Sequence, residues 1–360
     1  MNVVFSNTIF FLQKKGGISR YYVNLSRELE KIKVKSKIIA PINKNIYLKN
    51  FNQKNISFYL SRFPNNFFFK KLSDILFDFF LRREKPDIIH ETYYNKNNLD
   101  TLKNTVKVVT IYDLAHEKFS KFYTRDKILQ KKKILSYADH FICISKKTQI
   151  DFIKYYKISP KKTSVIYLGC DHLRKNKETK SKLVLPKKYF LYVGERENYK
   201  NFKILAKAFN SSKKFQNVKI ICFGGEKFSQ DEIKRYNLDD NFINLQGDDS
   251  LLAHLYTKAL ALVNTSKYEG FGITNVEAMH LGCPVISSNF ITLREIGNNS
   301  CLYFKSNNKN DLVKKMEFIF LNKNFRKILI KRGHKRSKIF TWYNCARNTK
   351  KLYYDLLKKD

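Results

Sequence analysis

The chain predicts an α/β protein built from two parallel-sheet domains. Short apolar runs alternate with helical patterns in two successive series, which is how parallel sheets with crossover helices read in sequence. Twelve glycines occur, about half the usual frequency, and most of them fall just after an apolar run, at strand ends where doubly wound sheets bind ligands. A charged stretch without periodicity, Leu173–Leu185, separates the two series as a linker. The domains that follow are residues 1–172, residues 186–340, and a closing helix over 341–360.

The first series places strands at Val3–Phe5, Ser36–Ala40, Ile56–Tyr59, Asp87–His90, Lys107–Ile111, Phe141–Ile144 and Val165–Leu168. Helical patterns over Arg20–Glu30 and Lys147–Tyr156 lie between them. The apolar stretch Val3–Leu12 has no basic segment before it and is broken by Ser6, Asn7 and Thr8, so it reads as a first strand rather than a signal peptide. Leu72, Ile75, Leu76 and Phe79 recur at helical spacing and predict a helix packed on the N-terminal sheet. The surrounding segment also holds Phe63, Phe67, Phe68, Phe69, Phe77 and Phe80, interleaved with Arg62, Lys70, Lys71, Arg82 and Arg83. That is more aromatic surface than one helix face buries, and it suits contact with anionic lipid.

The second series runs Tyr189–Val193, Val218–Phe223, Phe242–Leu245, Ala259–Val263, Pro284–Ser287 and Cys301–Phe304. After Ala259–Val263, Gly270 and Gly272 open a loop, and Ile273–Leu281 has helical character stopped by Gly282, with Pro284 beyond. Glu269 in the loop and Glu277 in the helix can then face one pocket above the strand end. A helix N-terminus there offers unpaired N–H groups to an anionic or hydroxyl-rich ligand. Thr274 and Glu277 also satisfy a Thr-x-x-Glu capping box, which accounts for Glu277 alone and leaves Glu269 unexplained.

Composition narrows the function. The formal charge of +39 invites a nucleic-acid reading, but residues 1–170 carry +20 and residues 171–360 the remaining +19, with no stripe or tail. Only 14 of the 70 basic residues are Arg, the side chain favoured for base readout. Compositional drift toward Lys, Asn, Ile, Phe and Tyr, or attraction to an anionic membrane surface, accounts for the charge better than specific nucleic-acid binding. The six cysteines lie far apart, as small buried hydrophobes do in a reduced compartment. No stretch is long and apolar enough for a membrane span, so a cytoplasmic protein with at most peripheral membrane contact is expected.

The segment Tyr268–Ser287 resembles the Glu-x7-Glu signature of the retaining, nucleotide-sugar-dependent glycosyltransferases of family 4, down to the Gly-Phe-Gly turn and the Gly-Cys-Pro-Val-Ile tail. Gly194-Glu195-Arg196-Glu197-Asn198-Tyr199-Lys200-Asn201 is similar to the family element whose Arg and Lys hold the donor diphosphate. Gly16-Gly17-Ile18 resembles the loop that faces the donor phosphates from the other domain, and it does not fit a dinucleotide fingerprint. Thr110–Glu117 matches a strand end near the donor sugar, with Tyr112 where the family commonly has His; Asp113 and His116 are the candidates there. Phe340-Thr341-Trp342 and the helix after it resemble the closing helix of the family, and equally an ordinary amphipathic terminus.

The resemblance implies a GT-B fold, with two Rossmann-like domains facing a cleft and a C-terminal helix crossing back to the N-terminal domain. It implies a retaining enzyme that moves a hexose from a GDP- or UDP-linked donor to a glycan or lipid-linked glycan acceptor in polysaccharide synthesis. Arg196, Lys200, Glu269, His116 and Asp113 would carry the chemistry. Gly16, Gly17, Gly247, Gly270, Phe271, Gly272, Ile273, Thr274 and Glu277 would bind the donor. No metal or other cofactor is expected, since Asp239-Asp240 and Asp248-Asp249 sit in loop-like runs remote from His or Cys. Two alternatives remain: a non-catalytic basic binding protein, and a GT-B epimerase or phosphorylase, whose carboxylate or cofactor-lysine patterns are not found.

Overall fold

The computed structural model describes residues 1–49, 56–60, 67–94, 102, 104–123, 125–173, 184–196 and 198–358. The chain divides into two compact units, Met1–Gly169 with Trp342–Asp360, and Cys170–Thr341. The predicted linker falls mostly on residues 174–183, outside the described residues, as do Arg62, Phe63 and Glu197.

The first unit holds a seven-stranded sheet of β1 (Asn2–Phe5), β2 (Lys35–Asn43), β3 (Ile56–Tyr59), β4 (Ile88–Glu91), β5 (Val106–Ile111), β6 (His140–Cys143) and β7 (Thr163–Val165), in the order β3-β2-β1-β4-β5-β6-β7. Every pairing is parallel, so each strand must be reached by a crossover, and the order reverses between β1 and β4. Strands buried on both faces read as continuous apolar runs, which is why the sequence reveals them. The apolar stretch Val3–Leu12 is not one strand: after β1 it turns at Asn7 into a short helix, Thr8–Leu12, whose Phe10 and Phe11 amides bond the Asn7 carbonyl. The run Val165–Leu168 also differs, because β7 ends at Val165 and the chain leaves the sheet to reach Gly169. A Cβ there would lie 2.4 Å from the Trp342 backbone nitrogen, so glycine lets the start of the terminal helix close on the strand end.

The helix Phe67–Glu84 covers this sheet, but with a different stripe from the predicted one. Ser73, Phe77 and Leu81 are buried, with Phe77 and Leu81 packed on Val4, Ile39 and Ile89. Ile75 and Phe79 face outward instead. The stripe is turned by one residue because the Asn7 side-chain amide donates to Ser73 and Asp74, fixing which face meets the sheet.

The terminal helix Trp342–Leu357 belongs to the first unit, where it packs on the helix Gly17–Lys31. Its anchor is polar. His90, on β4 and fully buried, has Nδ1 2.6 Å from the Tyr353 hydroxyl and Nε2 2.7 Å from Thr110 Oγ1. Trp342 adds an aromatic contact to Tyr21.

The second unit holds β8 (Tyr189–Val193), β9 (Lys219–Phe223), β10 (Phe242–Leu245), β11 (Ala261–Asn264), β12 (Val285–Ser288) and β13 (Leu302–Phe304), ordered β10-β9-β8-β11-β12-β13 and again all parallel. Its core is strongly aromatic: Phe190, Phe202, Phe209, Phe215 and Phe242 pack together with Leu205, Ile220 and Met316. The order reverses between β8 and β11. All six cysteines are buried and unbridged.

Two neighbours on β4 give opposite pH signatures. Burial drives the His90 imidazole from its ordinary 6.5 down to about 3 and lifts the Glu91 carboxyl from 4.5 to about 8. A lowered histidine contributes stability above pH 6.5 that is lost as pH falls toward 3. A raised carboxyl contributes stability below pH 4.5 that is lost as pH rises through 8. Glu91→Gln should therefore be more stable than the parent at pH 9 by a few kcal/mol, and nearly equal to it at pH 5. Denaturant unfolding at the two pH values checks this; an unchanged pH dependence in the variant would contradict it.

Candidate active site

The second sheet leads its β8 and β11 ends to the same place, and the residues expected to do chemistry follow those two strands. After β8 the chain passes Gly194, at φ +117°, into a turn that carries Lys200. After β11 it forms a loop carrying Glu269, turns at Gly272 and enters the helix Ile273–Leu281. Gly272 has φ +88°, and a Cβ there would meet Leu293 Cδ2 at 2.4 Å, so this sharp entry requires glycine.

Lys200 and Glu269 meet across the switch point. Lys200 Nζ donates to Glu269 Oε1 at 2.8 Å, and the Ser266 hydroxyl donates to the same oxygen at 2.7 Å. The pair closes over a cavity of about 50 Å³ lined by Tyr192, Lys200, Asn264, Glu269, Ile273 and Thr274 among others. That volume is of the size that holds a few water molecules.

The pair is held from behind by a buried polar chain. Asn264 at the end of β11 donates to Asn275 Oδ1 at 2.9 Å, and Asn275 donates to Ser287 Oγ on β12 at 3.0 Å. The Ser266 amide donates to Asn264 Oδ1, which fixes the start of the Glu269 loop. On the other side, Thr265 Oγ1 donates to the Lys200 carbonyl and the Lys267 amide to the Tyr199 carbonyl. Buried polar groups joined in this way define one arrangement of the loop.

Glu277 does not face the cavity with Glu269, and it makes no capping box, since the helix has no side-chain N-cap bond. Its Oε2 accepts from the Tyr256 hydroxyl at 3.0 Å, and its Oε1 lies 3.2 Å from His172 Nε2. Phe271 turns its ring onto Phe340, leaving its backbone and Gly270 in the turn. Gly247 sits against Leu251, just before Asp248, which caps the helix Asp249–Lys258 by accepting from the Leu251 amide.

Arg196 is separate from Lys200 in its bonding. It is 4% exposed, with Nε 2.8 Å from Glu232 Oε1 and Nη2 donating to Glu232 Oε2 at 3.1 Å and to the Glu226 carbonyl at 2.6 Å. Its guanidinium also stacks over Phe228. Glu232 in turn forms a true capping box with Ser229. Burial opposes the charge on Glu232, but the Arg196 hydrogen bonds outweigh it and hold the carboxyl below its ordinary value.

In the first unit, Gly16 is the N-cap of the helix Gly17–Lys31, and the Gln13 side chain reaches the Ser19 amide. Asp113 Oδ1 accepts from the Ala115 amide, starting the short helix that carries His116, whose ring packs edge-on against Tyr123. The segment is braced by a fully buried ion pair, Lys131 to Glu117 at 2.7 Å, with Lys131 also donating to the Asp113 carbonyl.

Asn264, Ser266, Asn275 and Tyr256 are site residues that reading the sequence missed. Asn275 inside a helix as apolar as Ile273–Leu281 was the available signal, since a polar side chain on a buried helix demands a partner.

Comparison with known proteins assigns the class. Residues 15–174 match the family model described as Glycosyltransferase Family 4, and residues 174–336 the model described as Glycosyl transferases group 1. The chain belongs to these glycosyltransferases and has their two-domain GT-B architecture. It is 28% identical over 172 residues to O-antigen chain mannosyltransferase B of Escherichia coli, covering 46% of this chain and 45% of that one. It is 28% identical over 229 residues to an O-antigen chain mannosyltransferase of Salmonella typhimurium, covering 58% of this chain and 61% of that one. The chain thus matches only about half to three fifths of these relatives' length. Among solved structures, Anabaena HepE in complex with UDP and glucose superposes with a TM-score of 0.76 at 16% identity, over 99% of this chain and 100% of that one.

Removing Arg196 would strand Glu232 in a buried setting. Arg196→Ala should cost about 3 kcal/mol of stability, and a double variant Arg196→Met, Glu232→Leu should recover most of it. Thermal unfolding of the three proteins checks this; an unchanged midpoint for Arg196→Ala would exclude the structural role.

Proposed function

We propose that the chain transfers a hexose from a GDP- or UDP-linked sugar to a glycan or lipid-linked glycan acceptor in cell-surface polysaccharide synthesis, with retention of configuration and without a metal ion. The observation that carries this reading is the Lys200–Glu269 pair at the switch point of the second sheet, beside the N-terminus of the helix Ile273–Leu281. A diphosphate is the anion such a site favours, since a lysine supplies point charge and the helix terminus supplies aligned N–H groups. Once Lys200 turns to the phosphates, Glu269 is released toward the sugar, where a carboxylate accepts hydroxyl hydrogen bonds and steadies developing positive charge on the ring. Glu277 takes the ribose hydroxyls of the nucleotide. The departing phosphate oxygen removes the acceptor proton on the same face. The names of the O-antigen mannosyltransferases and the UDP and glucose bound by HepE support the substrate class.

A membrane-linked acceptor is favoured by the helix Phe67–Glu84, where Phe67 is 81% exposed and Phe68 67%, with Ile75 and Phe79 also outward. Exposed Lys71, Arg82 and Arg83 share this helix, and Arg83 lies over the Phe79 ring. Aromatic and basic groups presented together suit the headgroup region of an anionic leaflet, which supports a peripheral position on the inner face of the membrane. No described helix is long and apolar enough to cross a membrane.

A panel of UDP-, GDP- and ADP-sugars, screened for protection against melting and for hydrolysis, identifies the donor. With that donor, Glu269→Gln should lose about 100-fold in turnover with little change in melting temperature, and the parent should retain activity in EDTA. Near-full activity of Glu269→Gln removes the residue from catalysis, and a loss restored only by magnesium or manganese overturns the metal-free reaction.

The membrane reading is tested by sedimentation with anionic vesicles. The parent should bind at low salt and release at high salt, whereas Phe67→Ser, Phe68→Ser, Lys71→Glu should not bind. Lys70 is left intact because it is paired with Asp74. Equal binding by parent and variant would dismiss this face as the contact.

A further inference from the structure

Positive charge divides evenly between the two halves of the sequence, yet the fold concentrates it on one helix of the second unit. The helix Lys323–Ser337 carries seven Lys or Arg in 15 residues and no Asp or Glu. It is alone in this among the described helices of ten or more residues. Packing fixes its inner side: Leu329, Gly333 and Ser337 are buried, and a Cβ on Gly333 would lie 3.2 Å from Met279 Cγ on the helix Ile273–Leu281. The opposite side faces outward and presents Lys323, Lys327, Lys331 and Lys335, all exposed. Spaced four apart, they form one row along the helix.

Each lysine in the row has a like charge one turn away, which works against the helix rather than for it. The nearest acids in sequence do not relieve this, because Asp311 and Glu317 pair with Lys315 and Lys214. None of the four lysines has an acidic partner among the described residues. An apolar corner lies beside the row. The helix Lys309–Leu321 ends against the start of this one, with the Phe318 and Phe325 rings 4.9 Å apart. Leu321 is 62% exposed there, and Ile328, 45% exposed, sits one turn from Lys331 and Arg332. Cations interleaved with exposed apolar side chains compose a surface that lies in the interface of an anionic bilayer. Lysine stems let the apolar neighbours reach the acyl boundary while the ammonium groups stay among the phosphates.

We propose that the outward face of Lys323–Ser337, with Leu321 at its start, is a docking surface of the second unit for an anionic lipid bilayer. A bilayer supplies both things this face lacks: phosphates for the lysine row and an apolar layer for Leu321 and Ile328. A second copy docking face to face would set lysine against lysine. The helix Phe67–Glu84 exposes several aromatic and apolar side chains and also carries Asp74 and Asp78, whereas this face holds no acid at all. Its contact therefore depends chiefly on charge. The proposal rests neither on the contact assigned to Phe67–Glu84 nor on the transfer reaction.

The test uses the full chain and vesicles of phosphatidylglycerol and phosphatidylcholine in equal parts. An Ile328→Cys variant labelled with a polarity-sensitive dye reports this face alone, because the six native cysteines are buried. Its emission should shift to the blue when vesicles are added at low salt and return at high salt. The triple variant Lys327→Gln, Lys331→Gln, Lys335→Gln should partition about 100-fold more weakly, roughly fivefold per lysine, with a flatter salt dependence. Its melting temperature should hold or rise, since like charges have been removed. Leu321→Ser, Ile328→Ser should weaken partitioning several-fold and leave the salt dependence unchanged. A silent dye, or a triple variant that partitions like the parent, overturns the inference. A dye that answers soluble poly-L-glutamate and not vesicles also overturns it, and gives the face to an acidic polypeptide. Failure of the Phe67–Glu84 reading is separable: the Phe67→Ser, Phe68→Ser, Lys71→Glu chain would then bind like the parent, while the dye still responds.

Discussion

Every strand pairing in both sheets is parallel, and this constraint sets the rest of the molecule. Parallel neighbours cannot be joined by a hairpin, so each strand returns through a crossover and all strands of a sheet deliver their carboxyl ends to one edge. Where the order reverses, the crossovers before and after the reversal lie on opposite faces, and the loops at that edge part to leave a crevice. Lys200 and Glu269 are 69 residues apart in sequence, yet they hydrogen-bond because β8 and β11 are neighbours across that reversal.

The same geometry explains why the site is tied down so heavily. A loop at a crevice carries polar groups that no ladder satisfies, and it would wander without other bonds. Here Asn264, Asn275 and Ser287 link β11, the following helix and β12 through side-chain hydrogen bonds, while Thr265 and Lys267 fasten the Lys200 turn from the other side. The carboxylate and the ammonium are thus presented on rigid supports, with only the last bonds of each side chain left to rearrange. Under the proposed function, a charge already oriented costs little reorganisation when the leaving group develops its own.

The cations are not equivalent. Arg196 is buried, doubly bonded to Glu232 and stacked on Phe228, and it braces the chain around Gly224 and Glu226. Lys200 is more exposed and its ion pair with Glu269 is partly solvated, so it exchanges its partner more readily. Burial decides this: an ion pair out of water with all its hydrogen bonds filled is costly to break, whereas a partly solvated pair exchanges partners cheaply.

The sequence by itself determined the fold class, nearly every strand of both sheets and the glycine turn between Glu269 and the helix Ile273–Leu281, because each of these is written in residues a few places apart. Buried parallel strands are short apolar runs, and a turn needing φ > 0 declares itself by glycine. Tertiary structure decided what distant residues do to one another. Arg196 and Lys200 look alike in sequence, and only the fold gives one of them Glu232, 36 residues away. Thr274 and Glu277 have capping-box spacing, but Tyr256 and His172 draw Glu277 elsewhere. On Phe67–Glu84 apolar residues occur on several faces, so periodicity could not choose the buried stripe; the bonds from Asn7 to Ser73 and Asp74 chose it. Local pattern fixes an element and its period, but the partner that selects among equivalent faces or equivalent charges arrives from another strand, and only the closed sheet brings it there.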